Sequence, residues 1–164
     1  MDFKQTIKAH NGILYKIARL YTSEEADFQD LYQEILIQLW QSFGNFKGQS
    51  KLSTWIYRVA LNTAIAFTRK SNHRQSPVSE IPESADPEPS STPEQKEQKI
   101  QLLYQCIHRL PKDDRAIILL YLEGKKYDEM AEIIGISSSH VGVKLSRIKK
   151  KLQSYLIQEG YGRI

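Results

Sequence analysis

Between His140 and Lys151 the chain carries Lys144, Arg147, Lys149, Lys150 and Lys151 with no acidic residue among them. Five cations without a counter-charge exceed what the negative end of a helix macrodipole calls for, so phosphate contact is the chemistry they suit best. A second group has the opposite sign. No Lys or Arg occurs from Leu20 to Phe46, a stretch that holds Glu24, Glu25, Asp27, Asp30 and Glu34. Asp30 and Glu34 are four apart and would share a helix face, while Gln33, Ile37 and Trp40 continue a neighbouring one. A bare acidic run is more often a solvated face, but a residue as large as Trp40 beside it favours a protein partner with a basic surface. A third group, FGNFKGQSKLSTWIYRVALNTAIAFTRK, interleaves Phe43, Phe46, Trp55, Tyr57 and Phe67 with Lys47, Lys51, Arg58, Arg69 and Lys70. Aromatics among cations suit unpaired bases, since every base has a face to stack, and a Gly-containing loop could pocket an extruded one. Helical aromatics are usually core, so Trp55 and Phe67 are expected inside and Phe46, in the loop, available for contact.

Catalysis finds no comparable support. His10, His73, His108 and His140 are scattered without metal-ligand spacing, and no phosphate-cradling Gly-Lys-Ser/Thr motif occurs. The single cysteine, Cys106, lies in a helical stripe and reads as packing; alone it excludes a disulfide framework. The expectation is a chain that is not an enzyme, with no metal, no cofactor and no small-molecule substrate.

These groups need elements to hold them. Of 164 residues, 40% are hydrophobic and 26% charged, with 23 Lys and Arg against 19 Asp and Glu. That composition supports compact cores, and the net charge of +4 permits nucleic-acid binding without proving it. The longest apolar run, Ala116 to Leu122, is far too short to span a bilayer, and no signal-like stretch is visible, so a cytoplasmic protein is expected. Residues 71–93 hold five of the six prolines and no aromatic residue, and read as a flexible acidic Pro/Ser-rich linker. Net charge sorts accordingly: +3 over residues 1–70, −3 over 71–93 and +4 over 94–164.

Both flanks carry helical periodicity and neither alternates with period two, so the fold class is all-α, two small helical domains joined by the linker. The stripes are Ile7, Leu14, Ile17 and Leu20; Phe28, Leu31, Ile35, Leu39 and Phe43; Leu52, Ile56, Val59, Thr63 and Phe67; and Ile100, Leu103, Ile107 and Leu110, ended by Pro111. Another helix runs from Asp113 to Glu123 and stops at Gly124. Residues 127–151 then read as a helix-turn-helix. Met130, Ala131, Ile133 and Ile134 give the first helix its inner face. Gly135 closes it in the left-handed region, Ile136 plugs the corner, and Ser137 caps a second helix packed through Val141, Leu145 and Ile148. That second helix would lie in a DNA major groove with Ser138, Ser139, His140, Val143, Lys144 and Arg147 outward. Lys144 and Arg147 could reach guanine or phosphate, and the tail Lys149–Lys151, including Lys150, would hold the backbone.

Two of these segments resemble parts of one family. Residues 27–70, with DFQDLYQEILIQLW and FKGQSKLSTWIYRVALNTA, are similar to the second conserved region of extracytoplasmic-function (ECF) sigma factors of bacterial RNA polymerase. Residues 110–152, with LPKDDRAIILLYLEGKKYDEMAEIIGISSSHVGVKLSRIKKKL, are similar to their fourth region. The resemblance implies that Asp30, Leu31, Gln33 and Glu34, with Ile37 and Trp40, bind core RNA polymerase. It implies that the loop with Asn45, Phe46, Lys47 and Ser50, together with Arg58 and Asn62, holds the melted single strand of the −10 element. The helix from Ser138 would read the −35 element as duplex promoter DNA, and an anti-sigma factor is a further partner the family admits. The chain departs from the family at Gly142, where a basic residue is frequent, at Lys126, where a Ser or Thr cap is usual, and at Ala66, Phe67 and Thr68. Elements about 17 base pairs apart lie about 58 Å apart, and the 23-residue linker reaches at most about 76 Å. The competing reading is a free-standing helix-turn-helix transcriptional regulator that binds duplex DNA without polymerase.

Overall fold

A computed structural model describes residues 2–71 and 93–160. Among these it has seven helices and no strand: α1 (Phe3–Leu20), α2 (Glu25–Phe43), α3 (Leu52–Ser71), α4 (Pro93–His108), α5 (Lys112–Leu122), α6 (Tyr127–Ile134) and α7 (Ser138–Gln158). The all-α expectation holds. The linker expected at 71–93 lies, but for its two ends, outside the described residues.

The first three helices form one bundle. Leu14, Ile17, Leu31, Ile35, Leu39 and Ile56 are fully buried at its centre, each contributing about 1.5–3 kcal/mol of transfer free energy. Asp2 caps α1 by accepting from the Lys4 amide at 3.2 Å. Glu25 and Asp27 place negative charge on the first turn of α2, which compensates for the absence of a capping side chain there. The other four helices pack around Ile107, Leu110, Ile117, Leu120 and Met130.

Two expected stripes are displaced. On α3 the residues that lose most surface are Thr54, Ile56, Tyr57, Ala60, Leu61, Ala64 and Thr68, whereas Val59 and Thr63 are only partly covered. The reason is that α3 is covered on two sides, by α1 and α2 and also by α5 and α6. On α4, Ile100 is 54% exposed and Cys106 is buried in its place; the N-terminal half of this helix is largely exposed.

The two groups of helices meet along a polar seam. The Tyr21 hydroxyl donates to the Lys112 carbonyl at 2.7 Å. The His108 Nε2 donates to the Arg19 carbonyl at 3.1 Å. Arg115 donates to the carbonyls of His108 at 2.6 Å, Leu110 at 2.9 Å and Leu20 at 3.5 Å. Lys16 pairs with Glu123 at 2.7 Å, and that hydrogen bond raises the lysine pKa. Arg58 on α3 donates to the Glu132 carbonyl on α6 at 2.7 Å. Burial, with Arg115 beside it, pulls His108 down to about 4, so the ring is neutral at neutral pH. Burial pushes the Tyr57 hydroxyl up to about 12 and raises Tyr21 as well.

Candidate functional site

Two exposed faces and one loop collect the residues singled out by sequence. On α2, Leu31 and Ile35 point inward, so the opposite side carries Asp30, Gln33, Ile37 and Trp40 into solvent. Ile37 is 47% exposed and Trp40 65%, large values for apolar side chains on an ordered helix. Trp40 is nevertheless held in place: its ring meets Phe3 edge to face at 5.2 Å, and Phe3 meets Phe43 in the same way. Glu34 is half-buried and accepts from Gln38 Nε2 at 3.1 Å. Leu31 is a correction. It has no exposed surface, because the three- and four-residue steps to Phe28 and Ile35 put it in the core stripe, and it supports this face from beneath without reaching a partner.

The loop after α2 turns through hydrogen bonds from the Asn45 and Phe46 amides to the carbonyls of Ser42 and Phe43. Asn45 and Lys47 are exposed and Ser50 is half-buried. Phe46, expected to be available, lies against Trp55 with ring centroids 5.3 Å apart, so the loop is pinned to α3 through its aromatic residue. Trp55 and Phe67 are partly buried against the core, as expected. Arg58 and Asn62 lie one turn apart on α3. Asn62 is exposed, whereas the Arg58 guanidinium is occupied by the Glu132 carbonyl.

The helix-turn-helix forms as its sequence anticipates. Met130 and Ile133 are buried, Gly135 ends α6 with φ of 87°, and the Ser137 side chain accepts from the His140 amide at 3.1 Å. Lys126 precedes α6 with no side-chain cap. Ser139, His140, Val143, Arg147 and Lys150 are exposed on α7, and Ser138 and Lys144 are half-exposed. The Ser138 hydroxyl donates to Asp128 at 2.6 Å, tying the start of α7 to the start of α6.

The five cations are not alike. Lys151 lies 3.8 Å from Asp114, and the Lys149 ammonium sits over the Tyr121 ring at 4.1 Å. These two face α5, whereas Lys144, Arg147 and Lys150 have no carboxylate partner among the described residues. Sequence reasoning overlooked Tyr127, whose ring rests on Gly142. The glycine at 142, inside a helix where it lowers helix propensity, was the available signal.

Comparison with known proteins agrees with this geometry. Residues 6–74 match sigma-70 region 2, and residues 100–152 match sigma-70 region 4. The ECF RNA polymerase sigma-E factor of Haemophilus influenzae is 30% identical over 85% of this chain and 80% of its own length. The RNA polymerase sigma factor SigV of Bacillus subtilis is 27% identical over 97% of this chain and 98% of its own. With the probable RNA polymerase sigma factor RfaY of Xanthomonas campestris the identity is 28% over 95% of this chain, which spans only 40% of that protein. Among solved structures, the sigma factor RpoE of Bartonella quintana, crystallised with the anti-sigma factor NepR, has the same fold, with a TM-score of 0.70 and 24% identity over 94% of this chain and 96% of that one. A region 2 bundle and a region 4 helix-turn-helix, in this order and in one chain, make the protein a member of the sigma-70 family of RNA polymerase sigma factors, in its ECF group.

Proposed function

We propose a division of labour between the two exposed faces. The outer side of α2, with Asp30, Gln33, Glu34, Ile37 and Trp40, grips core RNA polymerase. The loop Asn45 to Ser50, with Arg58 and Asn62, takes the melted strand of the −10 element. The outer side of α7, with Ser138, Ser139, His140, Val143, Lys144, Arg147 and Lys150, reads the −35 duplex. The units are residues 1–70 and 94–164 with 71–93 as the connection; the chain is cytoplasmic and acts by positioning polymerase, not by catalysis. The observation that carries this reading is the pairing of an acidic, apolar-studded exposed face on one unit with a cationic exposed face on the other. An anti-sigma factor belongs to the same proposal.

The seam adds a requirement. Here α3 packs directly against α6, whereas promoter elements about 17 base pairs apart lie about 58 Å apart. The two units must therefore part before both elements are engaged, which frees Arg58 from the Glu132 carbonyl for the −10 strand.

Run-off transcription with purified core polymerase tests the proposal. Added protein is expected to start transcription at a defined site. Asp30→Ala with Glu34→Ala lowers core affinity, while Lys144→Ala with Arg147→Ala leaves core affinity intact and weakens upstream contact. Full selectivity for the promoter duplex by the chain alone would overturn the proposal in favour of a conventional regulator.

A further inference from the structure

Tyr127 is the first residue of α6, and its ring lies across the middle of α7 at Gly142. A Cβ at position 142 would stand 3.4 Å from Tyr127 Cε2 and 3.8 Å from Cδ2. A methyl group fits there in ordinary contact, but a longer side chain would compete with the ring for the same space. The ring is held but not hidden: Tyr127 is 44% exposed and the adjacent Val143 is 51% exposed. Together they line an open cleft of about 570 Å³ whose other walls include Ser139, Arg147 and Lys150. The Ser138 to Asp128 hydrogen bond fixes the start of α6 on the start of α7, so the ring has a defined place on the recognition surface.

We propose that Tyr127 and Val143, which line one cleft with Gly142 between them in its wall, form an apolar notch that receives the 5-methyl group of one thymine in the upstream promoter duplex. The proposal rests on the reading of α7 as the duplex-binding helix and adds a specificity determinant to it. The notch is an apolar spot in a face otherwise made of hydroxyls and cations. In the major groove the thymine methyl is the one apolar feature a base edge presents, and apolar side chains are what recognise it. Arg147 and Lys150 on the wall of the cleft supply the positive charge that brings a duplex to it. Glycine at 142 is what keeps the notch open, since a lysine or arginine stem would fill it.

The test uses the full chain assembled with core polymerase. Upstream duplexes are selected from a randomised library. Each thymine of the selected promoter is then replaced in turn by deoxyuridine, which lacks only the methyl group. The expected result is an enriched thymine whose methyl removal weakens promoter binding about fourfold, the effect of withdrawing one buried methyl-sized group. That sensitivity should disappear in Tyr127→Ala and Gly142→Lys and persist in Tyr127→Phe and Gly142→Ala. Core affinity and thermal unfolding, measured on the same preparations, identify any variant that fails to fold, and the wild-type deoxyuridine scan does not depend on the variants. No enriched thymine, no methyl effect, or an equal effect in all folded variants would overturn the notch while leaving α7 as the duplex reader. A library with no upstream preference at all would overturn the reading of α7 and the notch with it.

Discussion

The helices α2 and α7 have nearly the same length, 19 and 21 residues, and each buries one stripe while leaving its other side open. Their open sides are built from different materials. On α2 it consists of carboxylates beside Ile37 and Trp40, with no lysine or arginine anywhere on the helix. On α7 it consists mainly of hydroxyls and cations with His140, Val143 and Ile157 among them, and there is no carboxylate on the helix at all. A protein partner can repay the desolvation of a tryptophan, so α2 can afford to keep one in water, stacked on Phe3. A nucleic acid is a dense array of phosphates, and the proposed duplex-reading face of α7 offers it Lys144, Arg147 and Lys150, which have no carboxylate partner among the described residues. On the proposed division of labour, one fold class serves two kinds of partner by changing only the side of a helix that packing does not need.

The comparison is valid only while both units are folded, and the largest expected effect is the one that removes both. His108 lies in the seam and is held near 4, against an ordinary value of 6.5. Between these values the unfolded chain takes up a proton that the folded chain refuses. Stability is thus complete above about pH 6.5 and declines as the pH falls toward 4, by on the order of 3 kcal/mol. Urea denaturation at a series of pH values should show this decline, and His108→Gln should flatten it; a decline of equal size in the variant would place its origin elsewhere.

Next in size is Trp40→Ala, expected to cost about 2 kcal/mol of core-polymerase affinity, roughly thirtyfold, with promoter preference unchanged. Fluorescence titration of core polymerase with labelled protein measures it. An equal loss of promoter preference would mean that the two faces are not separable.

The smallest effect sharpens the cationic side. Lys150→Ala should reduce the slope of log affinity against log salt by about one unit. Lys151→Ala should change it less, because Lys151 faces Asp114. Promoter binding by the holoenzyme across a salt series separates the two, and equal slopes would contradict a role for the Asp114 pairing in withholding Lys151 from phosphate.

The parts legible in the sequence are those fixed by neighbours along the chain. The stripe Phe28, Leu31, Ile35 and Leu39 is buried as its spacing requires, and Gly135 and Ser137 close and open helices because both roles depend on local backbone geometry. Residues facing two ways were harder to read. On α3 the periodicity points to one buried side, but contact with α5 and α6 buries Tyr57 as well. The charge run of α7 shows five equivalent cations, and only the position of Asp114 and Tyr121 on α5 separates Lys149 and Lys151 from the rest. The seam has no sequence signature, since the hydrogen bonds across it join residues 74 to 107 positions apart.

Apart from the Lys16–Glu123 pair, the seam bonds share one property. The donors are side chains, Tyr21, Arg58, His108 and Arg115, while the acceptors across the seam are main-chain oxygens of Lys112, Glu132, Arg19 and Leu20. Every amino acid supplies such an oxygen. Evolution can therefore rewrite positions 112 and 132 almost at will, whereas the four donors are each irreplaceable in kind. Donors and acceptors are divided evenly, two of each on either unit, so a saturation scan would find both sides of the joint intolerant at the donors and permissive at the acceptors. Of the seam hydrogen bonds described, only the Lys16–Glu123 pair ties a side chain on one unit to a side chain on the other.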